Sequence, residues 1–387
     1  MSTFTRTDTS IISRWWWTID RVTLVSVIII AALGAILVLA ASPAVAERIG
    51  LDNFYFVRRH FVFLPMALAV MVATSLLTPQ GVRRLALLVF AGGLLAMIAV
   101  LFIGFETKGA TRWVYIAGFS LQPSEFIKPS FAIVSAWMFS AQKLDDDVPG
   151  YAIAFFLFVF VVGLLLLQPD FGMSIVVSCV WAVQFFIAGL PLVLVGALAL
   201  LFILGGFGVY LGFEHVRVRI DRFLDPAGGV GYQVEKSLDA FQNGGLFGRG
   251  PGEGRVKEVL PDAHTDFILA VAGEEFGLVL CLLIVVLFSI IVLRGFARVF
   301  KDSDFFVMVA VAGLLTQFAL QAIVNIASTT NLIPPKGMTL PFISYGGSST
   351  LALALGMGMV LALTRVRPGQ TNTRARLHGV KLGRGSL

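Results

Sequence analysis

PDAHTD at 261–266 runs without a break into FILAVAGEEFGLVLCLLIVVLFSIIVL at 267–293. The second stretch exceeds the roughly 20 apolar residues that cross a bilayer as a helix. Its continuous apolarity, without period-two alternation, favours a helix over a barrel strand. The first stretch puts an ionisable cluster at the rim of that helix. A carboxylate there requires water, a cation or a chemical duty to offset its desolvation. Asp266 is the candidate general base of an enzyme that works on a lipid-borne substrate.

The rest of the chain has the same character. It is 57% hydrophobic and 13% charged over 387 residues, with a mean hydropathy of +0.89. A water-soluble fold has no use for that much apolar surface. The sequence predicts an all-α polytopic membrane protein with about ten transmembrane helices. They centre on 22–41, 61–77, 83–103, 126–141, 151–167, 171–188, 191–212, 267–293, 304–327 and 346–364. One long extracytoplasmic loop, 213–265, separates the seventh and eighth. Ala44-Val45-Ala46 imitates a signal cleavage site, but the preceding apolar stretch is about twenty residues, longer than a signal core of roughly 7–15; it reads as an uncleaved first span. The organisation is then a cytoplasmic segment 1–21, a membrane domain 22–365 and a basic cytoplasmic tail 366–387.

Lys and Arg in short loops orient the chain. With the N-terminus inside, Arg6, Arg14, Arg21, Arg83, Arg84, Lys143, Arg294, Arg298, Lys301 and the tail (Arg365, Arg367, Arg374, Arg376, Lys381, Arg384) are cytoplasmic. The opposite short loops hold only Arg48, Arg58, Arg59, Lys108, Arg112 and Lys336. Trp15-Trp16-Trp17 suits an interfacial anchor. The net charge of +6 follows from loops and tail, and fits orientation and anionic lipid better than nucleic acid. Cys179 and Cys281 both fall within spans, as buried thiols rather than a disulfide. Four His residues with no Cys/His cluster argue against structural zinc.

Polar residues near the spans gather on the outer side. Lys108-Gly-Ala-Thr-Arg112-Trp113 precedes Gln122-Pro123-Ser124-Glu125-Phe-Ile-Lys128. Pro123 opens a helix on which Glu125 and Lys128 share a face. They form either an ion pair and cap, or, with Arg112, a cationic site for a phosphate headgroup. Gln168-Pro169-Asp170 reads as a tight helix–helix turn. Gly244 through Lys257 is glycine-rich but lacks a Walker or dinucleotide pattern. Its Arg249, Arg255 and Lys257 are open to phosphate contact or simple solvation. Glu274 lies about 12 Å deeper than Asp266 along a helix, on a nearby face, and would line a cavity or bind a cation. Ser344-Tyr-Gly-Gly-Ser-Ser349 opens the last span with small residues, for close helix packing or for direct participation; no Gly-x-Ser-x-Gly elbow exists.

These residues resemble the FtsW/RodA (SEDS) family over nearly the whole chain. The likeness is carried by Gly109-Ala-Thr-Arg112-Trp113, Gln122-Pro-Ser-Glu125-Phe-Ile-Lys128, Gln168-Pro-Asp170-Phe-Gly172, Pro261-Asp-Ala-His264-Thr-Asp266-Phe267, Gly273-Glu-Glu275 and Pro335-Lys-Gly337 through Ser349. Lys336-Gly-Met-Thr-Leu-Pro341-Phe-Ile-Ser344-Tyr is similar to the division-type branch rather than the elongation-type branch. Ala327-Ser-Thr-Thr-Asn331 departs from the glycine-containing segment usual there. The resemblance implies a ten-span peptidoglycan glycosyltransferase of the bacterial inner membrane, acting at the division septum. It would polymerise lipid II on the outer face, beside divisome proteins and a class B penicillin-binding protein that crosslinks. The family's essential aspartate maps onto Asp266. The implied substrate-binding set is Arg112, Glu125, Lys128, Asp170, Lys257, His264, Lys336 and Ser344. Mg²⁺ or Mn²⁺ would assist, with Asp266, Glu274 and pyrophosphate oxygens as candidate ligands. A lipid II flippase would explain the spans and carboxylates equally, but predicts polar residues along a path to both sides. A scaffold role for the tail is compatible with either.

Overall fold

The computed structural model describes residues 10–107, 110–116, 119–145, 147–189, 191–224 and 231–365. A short helix α1 (Ile11–Thr18) leads into α2 (Arg21–Arg48), α3 (Tyr55–Ser75) and α4 (Pro79–Ile103). Strands β1 (Phe105–Thr107), β2 (Ala110–Ile116) and β3 (Phe119–Leu121) follow, then α5 (Pro123–Leu144), α6 (Gly150–Leu167), α7 (Phe171–Ile187) and α8 (Leu192–Gly212). The segment predicted as a long loop carries α9 (Glu214–Leu224), α10 (Tyr232–Gly244) and α11 (Val256–Val259). The chain closes with α12 (Ile268–Val299), α13 (Phe305–Thr329) and α14 (Gly347–Leu363).

Each predicted apolar segment is a helix, and among the described residues six of them (α2, α3, α4, α6, α12 and α13) are long and apolar enough to cross a membrane. The protein is a mostly helical, multi-pass membrane protein. Two other segments, α7 and α14, are shorter, at 17 residues each. α5 carries Glu125 and Lys128 on a helix enclosed by its neighbours; most of its residues are buried. A helix surrounded by protein can hold a charged pair that a lipid-facing one cannot.

The all-α expectation needs one correction. β1, β2 and β3 form a three-stranded antiparallel sheet, with β2 between β1 and β3. Trp113 pairs with Phe105 and Val114 with Leu121. ATRWVYI (110–116) is rich in β-branched and aromatic residues, which favour strands, but the stretch is short and easily missed between two long helices. The sheet holds Arg112 beside the start of α5.

The two ends of the bundle differ in charge. At one end Asp20 caps α2 by accepting from Val22 N at 3.3 Å, and pairs with Arg294 at 3.0 Å and Arg298 at 3.2 Å at the end of α12. Arg365, just beyond α14, donates to Thr18 Oγ1 at 3.0 Å and to the Ser75 carbonyl at 3.3 Å. Trp15 donates to Ser75 Oγ at 2.8 Å, so α1 lies across this basic end. Arg6, Lys108, Arg367, Arg374, Arg376, Lys381, Arg384 and the tail segment 366–387 lie outside the described residues.

α12 is broken at Gly277 (φ 75°, ψ −175°), backbone that a side chain would resist. The break is sealed by the glycine-rich segment. Leu278 N and Val279 N donate to the Gly245 and Leu246 carbonyls at 3.0 and 3.2 Å, while Arg249 N and Gly250 N donate to the Glu274 and Glu275 carbonyls at 2.9 and 3.0 Å. The Leu278 and Val279 amides and the Glu274 and Glu275 carbonyls would otherwise be orphaned at the broken helix. The half-helix that follows Asp266 is therefore anchored separately from the rest of α12.

Candidate active site

A cleft of about 2590 Å³ opens at the end of the bundle opposite the basic residues. That is several times the roughly 300–1,000 Å³ of ordinary small-molecule pockets. Its two halves differ in chemistry. One is apolar, walled by α7, α8 and α9 through residues such as Trp181, Val195, Val209 and Phe223. The other is polar and holds Arg59, Arg112, Asp170, Asp262, Asp266 and Lys336.

Asp266 is half-buried in a chain of turns ahead of α12. The Asp262 carbonyl accepts from Thr265 N, Asp266 N and Phe267 N at 3.1, 3.0 and 3.3 Å. Asp262 reaches that geometry at φ 56°, the left-handed region that costs most side chains free energy. Across from the turn lies the extended segment 335–339. A Cβ added to Gly337 would stand 3.1 Å from Asp266 Oδ2, so the missing side chain is what admits the carboxylate. Gly337→Ala should push the carboxylate aside by a few tenths of an ångström and cut turnover about tenfold, since small misplacements of reacting groups are expensive. A steady-state polymerisation assay with an unchanged rate would show that Gly337 does not set the carboxylate's place.

Lys336 lies over the first turn of α7. A Cβ on Gly172 would be 2.9 Å from Lys336 Nζ. Two residues earlier, Asp170 caps α7 by accepting from Met173 N at 3.3 Å, and it pairs with Arg112 Nη1 at 3.5 Å. Arg112 also donates to the Gln168 carbonyl at 3.1 Å and the Pro169 carbonyl at 2.5 Å. The α6–α7 turn is thus both the tight corner its sequence suggested and the support that aims Arg112.

Glu125 and Lys128 form the floor. Their charged groups are 2.8 Å apart and almost fully buried, and Lys128 donates to Gln321 Oε1 at 3.0 Å. Gln321 Nε2 continues to Thr339 Oγ1 at 3.2 Å and Ser349 Oγ at 3.1 Å. Ser348 Oγ accepts from Gln122 N at 3.1 Å. The small residues opening α14 pack closely and also carry hydrogen bonds. Gly347 lies against Phe63, where a Cβ would stand 2.9 Å from the ring, and the serines join the polar network.

Four predicted site residues are not among those lining the cleft. Glu274 is fully buried and accepts from Arg255 N at 3.1 Å and Val256 N at 2.9 Å, with Arg249 at 3.7 Å. Lys257 pairs with buried Glu275 at 2.6 Å and donates to the Gly252 carbonyl at 3.0 Å. These residues fasten the glycine-rich segment to broken α12; hence neither the predicted metal role of Glu274 nor the substrate role of Lys257 matches its surroundings. Ser344 Oγ accepts from Leu340 N at 2.8 Å and closes a turn. His264 joins a three-ring cluster with Phe56 and Tyr345, its centroid 4.3 and 5.4 Å from theirs, while those two rings stand 5.1 Å apart. Burial pushes its pKa down to about 4 from 6.5, with Arg48 adding to the effect and Asp262 opposing it. It is neutral near pH 7 and acts as packing beneath the Asp266 turn. Burial likewise raises the Tyr345 phenol, against the lowering by nearby Arg59.

Sequence reasoning missed Arg59, Asp262, Gln321 and Asn325. The last two, with Ser328, recur at helical spacing inside an apolar span, which is a legible signal for a polar stripe.

The family model described as a cell cycle protein, for FtsW, RodA and SpoVE, matches residues 20–368. The chain belongs to that family. It is 45% identical over 367 residues to the "Probable peptidoglycan glycosyltransferase FtsW" of Caulobacter vibrioides, covering 95% of this chain and 94% of that one. The protein of the same name from Trichlorobacter lovleyi is 36% identical over 348 residues, covering 86% and 89%. Among solved structures, a chain from the structural coordination of polymerization and crosslinking by a peptidoglycan synthase complex superposes with a TM-score of 0.74 at 28% identity. It covers 90% of this chain and 98% of that one. The rod shape determining protein RodA of Thermus thermophilus superposes with a TM-score of 0.66 at 28% identity, covering 91% and 99%.

Proposed function

We propose that this chain is a peptidoglycan glycosyltransferase of the FtsW type that polymerises lipid II into glycan strands. The observation that carries the mechanism is the position of Asp266. It sits at the polar end of a cleft whose other half is apolar, a division that matches a sugar pyrophosphate on a polyprenyl tail. The relatives' names support the activity. Polar residues concentrated at one end, and basic residues at the other, suit chemistry at one surface better than passage across the membrane.

In this reading Asp266 takes the proton from the acceptor sugar's 4-hydroxyl as that oxygen attacks the donor's anomeric carbon. The anomeric carbon–oxygen bond breaks with inversion, and undecaprenyl pyrophosphate departs with the electron pair. The leaving group is already anionic and calls for cations rather than an acid. Arg112 offers a fork and Lys336 a point charge, both at the start of α7. Lys128, held by Glu125, tunes the floor instead.

A divalent cation is part of the proposal. Among the described residues no group of three His, Cys, Asp or Glu side chains could hold a metal. Mg²⁺ commonly takes one or two carboxylates with substrate phosphates, and Asp266, with Asp262 beside it in the cleft, fits that pattern. When bound, the cation would neutralise charge on the pyrophosphate.

The cleft end faces outward and the basic end the cytoplasm, as the positive-inside rule requires. The protein works at the septum of the inner membrane, with divisome proteins and a class B penicillin-binding protein as crosslinking partner. The named activities of the related synthase complex support that pairing. The test is glycan synthesis by purified protein from lipid II, with partner and Mg²⁺ or Mn²⁺. Arg112→Ala should raise the lipid II concentration needed for half-maximal rate about tenfold or more, the worth of a charge-assisted bond. An unchanged concentration dependence would remove Arg112 from donor binding.

A further inference from the structure

α13 presents three polar side chains, one turn apart, to the segment that faces Asp266. Gln321 Nε2 donates to the Thr339 carbonyl at 3.2 Å. Ser328 Oγ accepts from Lys336 N at 2.9 Å. Between them, fully buried Asn325 divides its two amide hydrogens between segments far apart in sequence. Its Nδ2 donates to the Asp266 carbonyl at 2.8 Å and to the Met338 carbonyl at 2.7 Å.

The two carbonyls belong to opposite walls of the polar half of the cleft. Asp266 is already held on its amide side by the Asp262 carbonyl at 3.0 Å, so Asn325 completes the restraint from the other side. Met338 follows Lys336 and Gly337, the residues that bring an ammonium and a bare backbone against the site. Both hydrogens are spent on this bridge, while Asn325 Oδ1 finds no partner among the described residues. Buried polar atoms are rarely left so unless another demand prevails. Neutrality matters as well. A carboxylate here would turn an acceptor toward two carbonyls, and an aliphatic side chain would offer neither a donor.

We infer that Asn325 is a positioning residue that sets the gap between the Asp266 carboxylate and the Lys336–Gly337 wall, and hence the register of acceptor hydroxyl against donor pyrophosphate. The inference rests on the reading of Asp266 as the base.

The experiment uses the full-length protein with its crosslinking partner, and measures lipid II polymerisation, apparent melting temperature and the KM and kcat for lipid II. Asn325→Asp should lower kcat about 100-fold, the scale of an ångström's misplacement at a reacting group, with KM within about threefold of the wild type. Asn325→Ser, which keeps one donor, should fall between. Thr329→Val is the control for burial alone, because it removes an equally buried bond to the Asn325 carbonyl at 2.6 Å without touching Asp266. It should lose stability but keep kcat. Wild-type kcat in Asn325→Asp overturns the inference, as does a kcat loss no greater than that of Thr329→Val at matched stability. If Asn325→Asp does not fold, the comparison of Asn325→Ser with Thr329→Val decides, and equal turnover overturns the inference. Asp266→Asn runs in parallel. An inactive Asp266→Asn beside a fully active Asn325→Asp sinks this inference alone, whereas an active Asp266→Asn sinks the base reading beneath it.

Discussion

Asp266→Asn is expected to insert and fold normally, bind lipid II and make no glycan polymer. The substitution is nearly isosteric, and the backbone at 266 is held by main-chain and Asn325 contacts that an asparagine keeps. What it loses is the capacity to accept a proton. General-base help is worth roughly 10²–10⁴-fold, and loss of the charge beside a divalent cation would add to that. The measurement is polymer length and yield from lipid II, with the melting temperature recorded alongside. Polymer at the wild-type rate would mean that another group takes the proton, and the polar end of the cleft would have to be reassigned.

Lys128→Met is expected to destabilise the protein more than any substitution at the cleft's rim. Glu125 and Lys128 have side chains only 7% and 3% exposed, with charges 2.8 Å apart. Removing one member of such a pair leaves an uncompensated buried charge, a loss of roughly 3–5 kcal/mol. Gln321 Oε1 would lose its donor in the same stroke, so the network to Thr339 and Ser349 should loosen as well. Replacing both charges, as in Glu125→Leu with Lys128→Met, should restore much of the stability, because no ion is then stranded. Thermal unfolding of the single and double variants in detergent tests this. Equal losses in single and double variants would show that the pair contributes little as a pair. Stability regained without activity would show that the charges also serve the substrate.

Much of the site could be read along the chain, for identifiable reasons. Asp266, Arg112, Glu125, Lys128, Asp170 and Lys336 stood out because charged side chains are costly beside apolar spans, and all of them line the cleft. The same reasoning could not tell what surrounds Glu274 and Lys257. A buried carboxylate is satisfied equally well by a substrate, a metal or backbone amides, and only the fold showed amides of Arg255 and Val256 at Glu274. Asn325 went unremarked because the stripe it forms with Gln321 and Ser328 carries no charge to draw the eye. The three-stranded sheet was hidden because its strands are only three to seven residues long and show no alternation to set them apart from the long apolar runs on either side.

From the sequence alone came the membrane class, the helical segments, the basic and polar ends and the aspartate proposed as the base. Those follow from transfer free energies, which each residue carries with it wherever the chain goes. Only the tertiary structure decided which polar groups share a cavity and which merely hold backbone. Hydrogen bonds such as Asn325 to Asp266 span 59 residues. Their energy depends on a few tenths of an ångström that no local pattern encodes.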